Sequence, residues 1–295
     1  MPENEDSAVL ATALPAKRSG RLIGAILVDA GRLKAEDVEH ILRAQREKGL
    51  RFGEAAIQLR LLTPDDVEFA LSRQFDFPYV QQGVNVLGGE VATAYTPFGP
   101  KVEALRAIRS RLMQRWFDAE PKHKSLAVIS AQRGEGRSFV AANLAVMLSQ
   151  IGRRTLLVDA DLRNPALHRL FDLGNGPGLA EALTGRGGIE MIRPIGILQH
   201  LAVLPAGAEP PNPGDLLARP LFAQLLLELE DKFDCIVVDT PAAIEFADAH
   251  IVASRTGGAI IVARKNVSRV NQIRAVAIGL TDARATMVGT VLNDY

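Results

Sequence analysis

Apolar and polar positions fall into different patterns along the chain. Over residues 20–80 a pattern repeats: Gly24, Val38, Leu42 and Gln45 recur 29 residues later as Gly53, Val67, Leu71 and Gln74. Each copy reads as a short helix (GAILVDA, GEAAIQLR), a turn and an amphipathic helix. Thr63 is placed to cap the last of these helices, with Pro64 at its first position. Glu36 and Asp37 put negative charge at the start of its counterpart. Val102, Leu105, Ile108, Leu112 and Trp116 then form a helical stripe. Further on, short unbroken apolar runs take over. Leu126–Ile129, Thr155–Val158 and Phe233–Val238 each predict a buried strand, and Met287–Asn293 a final one. FVAANLAVMLSQIG, after the first run, returns to helical spacing. Residues 1–19 read as disordered, and 81–97, rich in Gly, Pro and Thr, as a linker. The expected organisation is a small helical domain over 20–80 and an α/β domain over 98–295, with a doubly wound, mostly parallel sheet.

The predicted strands end in polar residues that suit phosphate chemistry. The first runs into Arg133-Gly134-Glu135-Gly136-Arg137-Ser138-Phe139. Strand, glycine loop and helix is the setting of a phosphate-binding loop, where backbone N–H groups and a helix N-terminus face an anion. Against the pattern G-x-x-x-x-G-K-[ST], Ala131 stands for the first glycine and Arg137 for the lysine. An ordinary glycine-rich turn is the alternative for this loop alone. The second run ends in Asp159-Ala160-Asp161 and the third in Asp239. Carboxylates at the carboxyl ends of strands, beside the first βα loop, can organise Mg²⁺ and accept a proton from a hydroxyl.

Composition removes several classes. Lys+Arg and Asp+Glu are equal at 34, so no generic attraction to nucleic acid or an anionic membrane is expected. Cys235 is alone, which excludes an internal disulfide, and its apolar surroundings suit a buried thiol. No secretory signal and no apolar run long enough to span a membrane is visible, so a cytoplasmic location is expected. The five histidines lack metal-ligand spacing.

Taken together, Ala131–Ser138, Leu156–Arg163 and Ile236–Asp239 resemble the Walker A, Walker A′ and Walker B motifs of bacterial tyrosine kinases, a branch of the MinD/ParA P-loop ATPase superfamily. GPGLAEALTG, LPAG with PNPGDLL, and MVGTVLN agree. The chain looks closest to EpsG-type chain-length determinant kinases of exopolysaccharide clusters. That resemblance implies ATP and Mg²⁺ as cofactors. The backbone of Arg133, Gly134, Glu135, Gly136, Arg137, Ser138 and Phe139 would hold ATP. Ser138, Asp159 and Asp239 would hold the metal. Asp159, Asp161 and Arg137 would be catalytic, with Asp161 or Asp159 as the base. Glu103, Arg106 and Arg109 match an E-x-x-R-x-x-R oligomerisation motif, implying a homo-oligomer. An inner-membrane polysaccharide chain-length determinant protein would be the partner, recruiting the chain to the membrane. A nucleotide-gated scaffold and a ParA/MinD-like ATPase are the alternatives. Relatives carry a tyrosine-rich tail; this sequence has only Tyr79, Tyr95 and Tyr295.

The duplicated stretch resembles the MshE N-terminal family of type II secretion and type IV pilus assembly ATPases. Members can bind cyclic di-GMP. By that resemblance Arg21, Gly24, Gly31, Gln45, Arg51, Gly53 and Gln74 are the candidate ligand contacts. Departures are Leu22 for Arg, Arg60 for Gly and Arg32 for an aliphatic residue.

Overall fold

A computed structural model describes residues 22–74, 87–95 and 99–294. The chain divides into two units, 1–77 and 78–295. The expected disorder over 1–19, and Arg21, Tyr79 and Tyr295, lie outside the described residues.

The first unit holds α1 (Ile23–Asp29), α2 (Ala35–Lys48), α3 (Phe52–Gln58) and α4 (Pro64–Gln74). The helix starts repeat with the spacing seen in the sequence, from 23 to 52 and from 35 to 64. α1 packs on α4, and α2 on α3, so each copy covers the other's apolar face. Thr63 and Asp66 cap α4 reciprocally: the Asp66 N–H donates to Thr63 Oγ1 (3.2 Å) and the Thr63 N–H to Asp66 Oδ2 (2.9 Å). Arg32 uses its departure from the repeat. Its guanidinium bonds Asp66 at 2.8 Å and lies 4.2 Å from the centre of the Phe69 ring.

Gly31 and Arg60 are equivalent in the repeat, and both are left-handed, at φ 69° and 57°. Glycine adopts that conformation freely, whereas a side chain costs roughly 1–2 kcal/mol there. Arg60→Gly is therefore expected to stabilise this unit by up to about 1 kcal/mol, after the added freedom of the unfolded chain is counted. Urea unfolding of the full chain, followed through that unit, checks it.

The second unit is built on seven strands: β1 (Ser125–Ser130), β2 (Thr155–Asp159), β3 (Arg193–Pro194), β4 (Leu201–Leu204), β5 (Cys235–Asp239), β6 (Gly258–Arg264) and β7 (Thr286–Asn293). Their order is β3-β4-β2-β5-β1-β6-β7. All neighbours are parallel except β3 on β4. Strand alternation divides the core. Ala127 and Ile129 face one layer and Leu126 and Val128 the other.

One layer consists mainly of α10 (Pro213–Ala218), α11 (Pro220–Lys232), α12 (Asp248–Thr256) and α13 (Val270–Asp282). The other contains α5 (Ala92–Tyr95), α7 (Arg137–Gln150) and α8 (Leu167–Leu170). The short α9 (Leu179–Ala182) belongs to the first layer. α6 (Pro100–Leu112) buries Val102, Leu105 and Leu112, as its stripe predicts. It does not run on as an α-helix: Met113–Phe117 form a π turn. That turn points Trp116 inward, where its Nε1–H donates to the Ser125 carbonyl (2.9 Å) and its ring stacks on His123.

Residues 87–95 differ from a free linker. Leu87, Val91 and Ala94 are buried in the second unit's core. The Thr93 N–H and hydroxyl both donate to Asn143 Oδ1 of α7, and the Gly88 N–H donates to the Leu170 carbonyl at 2.7 Å. Composition alone concealed this, because the contacts are made with residues distant in sequence.

Candidate active site

β1 passes through Ala131 and Gln132 into the glycine loop and then α7. Gly134 and Gly136 take φ of 77° and 91°, which lets the loop turn so that its N–H groups gather at the helix start. The loop is braced from across the sheet. Glu135 is buried; its carboxylate accepts from the Gln132 N–H (2.8 Å) and from the Ser268 hydroxyl. Its carbonyl accepts from Asn293 Nδ2 at 3.1 Å, and the Gly134 carbonyl from Arg264 at 3.2 Å. The Glu135 side chain thus holds the loop's shape and leaves its backbone for the expected phosphate contact. Phe139 likewise turns its ring into the core beside Val102, Leu105 and Met147. Only the backbone of these two residues remains for a phosphate. Arg133 is exposed at the loop tip.

The three aspartates meet beneath this loop. β2 and β5 are in register, with Asp159 opposite Asp239. Asp159 and Asp239 are 0% exposed and Asp161 5%. Asp159 is already occupied by backbone: Oδ2 accepts from Ala166 and Leu167 N–H (3.1 and 3.0 Å) and Oδ1 from Asp161 N–H (3.2 Å). Asp239 Oδ1 accepts from the Thr240 N–H at 3.1 Å, while Oδ2 is buried without a hydrogen bond. Burial pushes the Asp239 carboxyl up to about 6, with the Arg137 charge and the Ser138 hydroxyl opposing it. Burial, then neighbouring Asp239, pushes Asp159 well above the usual carboxylate range. Asp161 is raised too, by burial, against the Asn164 N–H and Arg137.

Arg137 lies among them, only 7% exposed. Its guanidinium donates to Ser130 Oγ (2.6 Å) and to Asp161 Oδ2 (3.3 Å), and Nε lies 3.7 Å from Asp239 Oδ1. It therefore bridges the carboxylates of two strands. The arginine's extra length over an ammonium makes this possible.

The donor set fits Mg²⁺–ATP. The loop and helix start offer N–H groups to phosphate, and the unbonded Asp239 oxygen and the Ser138 hydroxyl suit a hard cation. Among the described residues no three carboxylate, histidine or cysteine side chains are grouped to hold a metal alone. Mg²⁺ is usually held by one or two carboxylates and the phosphates themselves. Sequence reasoning missed Ser130, Arg264, Ser268 and Asn293, which brace the loop and Arg137. Asn293, at the end of the recognised last strand, was the one with a signal.

The remaining predicted residues are elsewhere. Glu103, Arg106 and Arg109 share one side of α6; Arg106 bonds Glu103, and Arg109 is partly buried. In the first unit, Gly24 and Gly53 sit where neighbouring helices pack close. A Cβ on Gly24 would meet Phe52 at 3.2 Å, and one on Gly53 would meet Val67 at 2.7 Å. They are glycines because the helices pack there. Arg51 is exposed, Gln45 and Gln74 are half-buried, and Gly31 faces open space.

Comparison with known proteins agrees with the geometry. Residues 122–293 match the ParA family model, described as "NUBPL iron-transfer P-loop NTPase". The chain is 34% identical over 198 residues to the putative tyrosine-protein kinase EpsB of Ralstonia solanacearum, covering 67% of this chain but 26% of EpsB. It is 33% identical over 191 residues to the tyrosine-protein kinase YwqD of Bacillus subtilis, covering 65% of this chain and 80% of YwqD. The solved kinase domain of Escherichia coli tyrosine kinase ETK superposes with a TM-score of 0.65 at 31% identity, over 69% of this chain and 79% of that domain. The match thus spans about a quarter of a long relative such as EpsB and most of a short one such as YwqD. A ParA-type nucleotide fold, Walker aspartates converging on its loop and these relatives place the chain in the bacterial tyrosine-protein kinase family.

Proposed function

We propose that the chain is an ATP- and Mg²⁺-dependent protein-tyrosine kinase that regulates exopolysaccharide chain length, polymerisation or export, as EpsG-type kinases do. The observation that carries this reading is the convergence of Asp161, Asp239 and Arg137 beneath a braced phosphate loop. Bound ATP supplies the γ-phosphoryl group, and Mg²⁺ neutralises charge on its oxygens. Backbone N–H groups of residues 134–138 hold the phosphates, and Ser138 with Asp239 holds the cation or its waters. Asp161 is the base. Its carboxylate takes the tyrosine hydroxyl proton as the phenolic oxygen bonds to the γ-phosphorus and the β,γ-bridging bond breaks, releasing ADP. Burial raises the basicity of Asp161, which favours that role. Asp159, filled by three N–H donors, positions the strand end instead.

The acceptor belongs to Tyr79, Tyr295 or another protein. The Tyr95 hydroxyl is tied to both the N–H and the carbonyl of Leu87. We assign the inner-membrane chain-length determinant protein as partner. No described helix is long and apolar enough to cross a membrane, so attachment through a partner is economical. Glu103, Arg106 and Arg109 would join copies into a homo-oligomer. Cyclic di-GMP forms no part of the proposal, since Gly24 and Gly53 are explained by packing.

The test is a phosphosite map after incubation of the full chain, with and without the partner, with Mg²⁺ and γ-labelled ATP. Label on tyrosine is expected. ATP turnover with no labelled protein would favour a nucleotide-gated scaffold.

A further inference from the structure

A cleft of about 600 Å³ opens at the loop that follows Asp161. Three loops build it. Arg163 and Asn164 follow β2, Glu209 to Pro211 precede α10, and Phe246 precedes α12. Its link to the site is direct: the Asn164 N–H donates to Asp161 Oδ1 at 2.9 Å. Its walls are stiff. Prolines form one part, and Arg163 is clamped to both Asp248 oxygens (2.8 and 3.2 Å) with its guanidinium 3.7 Å from the centre of the Phe246 ring. Arg163 keeps 26% exposure.

Sheet order says which substrate belongs here. The phosphate loop follows β1, while the cleft's loops follow β2, β4 and β5, all on one side of β1. Asp161 and Asp239 lie on that same side, so the transferred phosphoryl group faces it. Ser268, after β6, and Asn293, the last residue of β7, brace the phosphate loop from the opposite side.

Building on the kinase reading, we infer that this cleft seats the acceptor, a tyrosyl side chain on an extended protein segment. Proline faces, the Phe246 ring and a flat guanidinium suit an aromatic ring. The volume exceeds one side chain, leaving room for flanking residues. Asp161, whose carboxylate accepts from the Asn164 N–H of the cleft wall, is the base that the phenolic hydroxyl would reach.

A fluorescein-labelled peptide with one central tyrosine, titrated by anisotropy into the full chain with Mg²⁺ and a non-hydrolysable ATP analogue, tests this. Phe246→Ala is expected to weaken peptide binding about tenfold, and Phe246→Leu less. Nucleotide affinity and thermal midpoint should hold for both, and Phe246→Tyr should restore binding. Unchanged peptide affinity in Phe246→Ala, no peptide binding by wild type, or an equal loss of nucleotide affinity would overturn the assignment. Wild type that binds the peptide and hydrolyses ATP without labelling it would leave the cleft standing and refute the kinase reading instead.

Discussion

Asp161→Asn is expected to slow phosphoryl transfer to tyrosine by about 10²–10⁴-fold while nucleotide affinity stays nearly unchanged. The amide keeps the size of the carboxylate but cannot take the phenolic proton. It can still accept from the Asn164 N–H, so the loop after β2 should keep its path. Arg137 loses one of its two carboxylate partners and keeps Asp239. Single-turnover transfer from γ-labelled ATP, beside nucleotide binding by a fluorescent analogue, separates these effects. Loss of nucleotide binding in the same proportion would mean that Asp161 serves the ground state, and the base would have to be sought elsewhere.

The largest expected effect on stability is at Gly178, inside GPGLAEALTG. A Cβ there would lie 2.0 Å from the Pro205 carbonyl oxygen and 2.6 Å from the Gly207 nitrogen. Both obstacles are backbone, held by Leu179 and Ala180 N–H bonds to the Pro205 and Ala206 carbonyls (2.8 Å each). Neither can move without breaking the crossing of two chain segments. Gly178→Ala should therefore cost about 3 kcal/mol or more. Gly176→Ala is the control: its Cβ would meet only the end of Arg193, at 3.8 Å, and should change stability by less than about 0.5 kcal/mol. Urea midpoints of the two variants decide it.

Gly178 also shows how far sequence reading reaches. GPGLAEALTG and LPAG stood out as separate matches, yet the reason for their glycines is that one lies against the other. Local signals served well where the physics is local. The apolar runs of β1, β2 and β5, the capped α4 and the stripe of α6 were all legible. The site's aspartates were legible because strand ends converge in a parallel sheet. Partners distant in sequence were not. The bracing of the Glu135 carboxylate by Ser268, from beyond β6, left no local signal. The packing reason for Gly24 and Gly53 lay in Phe52 and Val67, residues of other helices. The π turn at Met113 obeys no periodicity; it serves one tryptophan's hydrogen bond.

Arg137 carries a further consequence. Its guanidinium is a counter-ion built into the chain, so Asp161 and Asp239 already face a positive charge before any cofactor arrives. A divalent cation entering between these carboxylates would have to compete with a tethered positive charge rather than simply add to an open site.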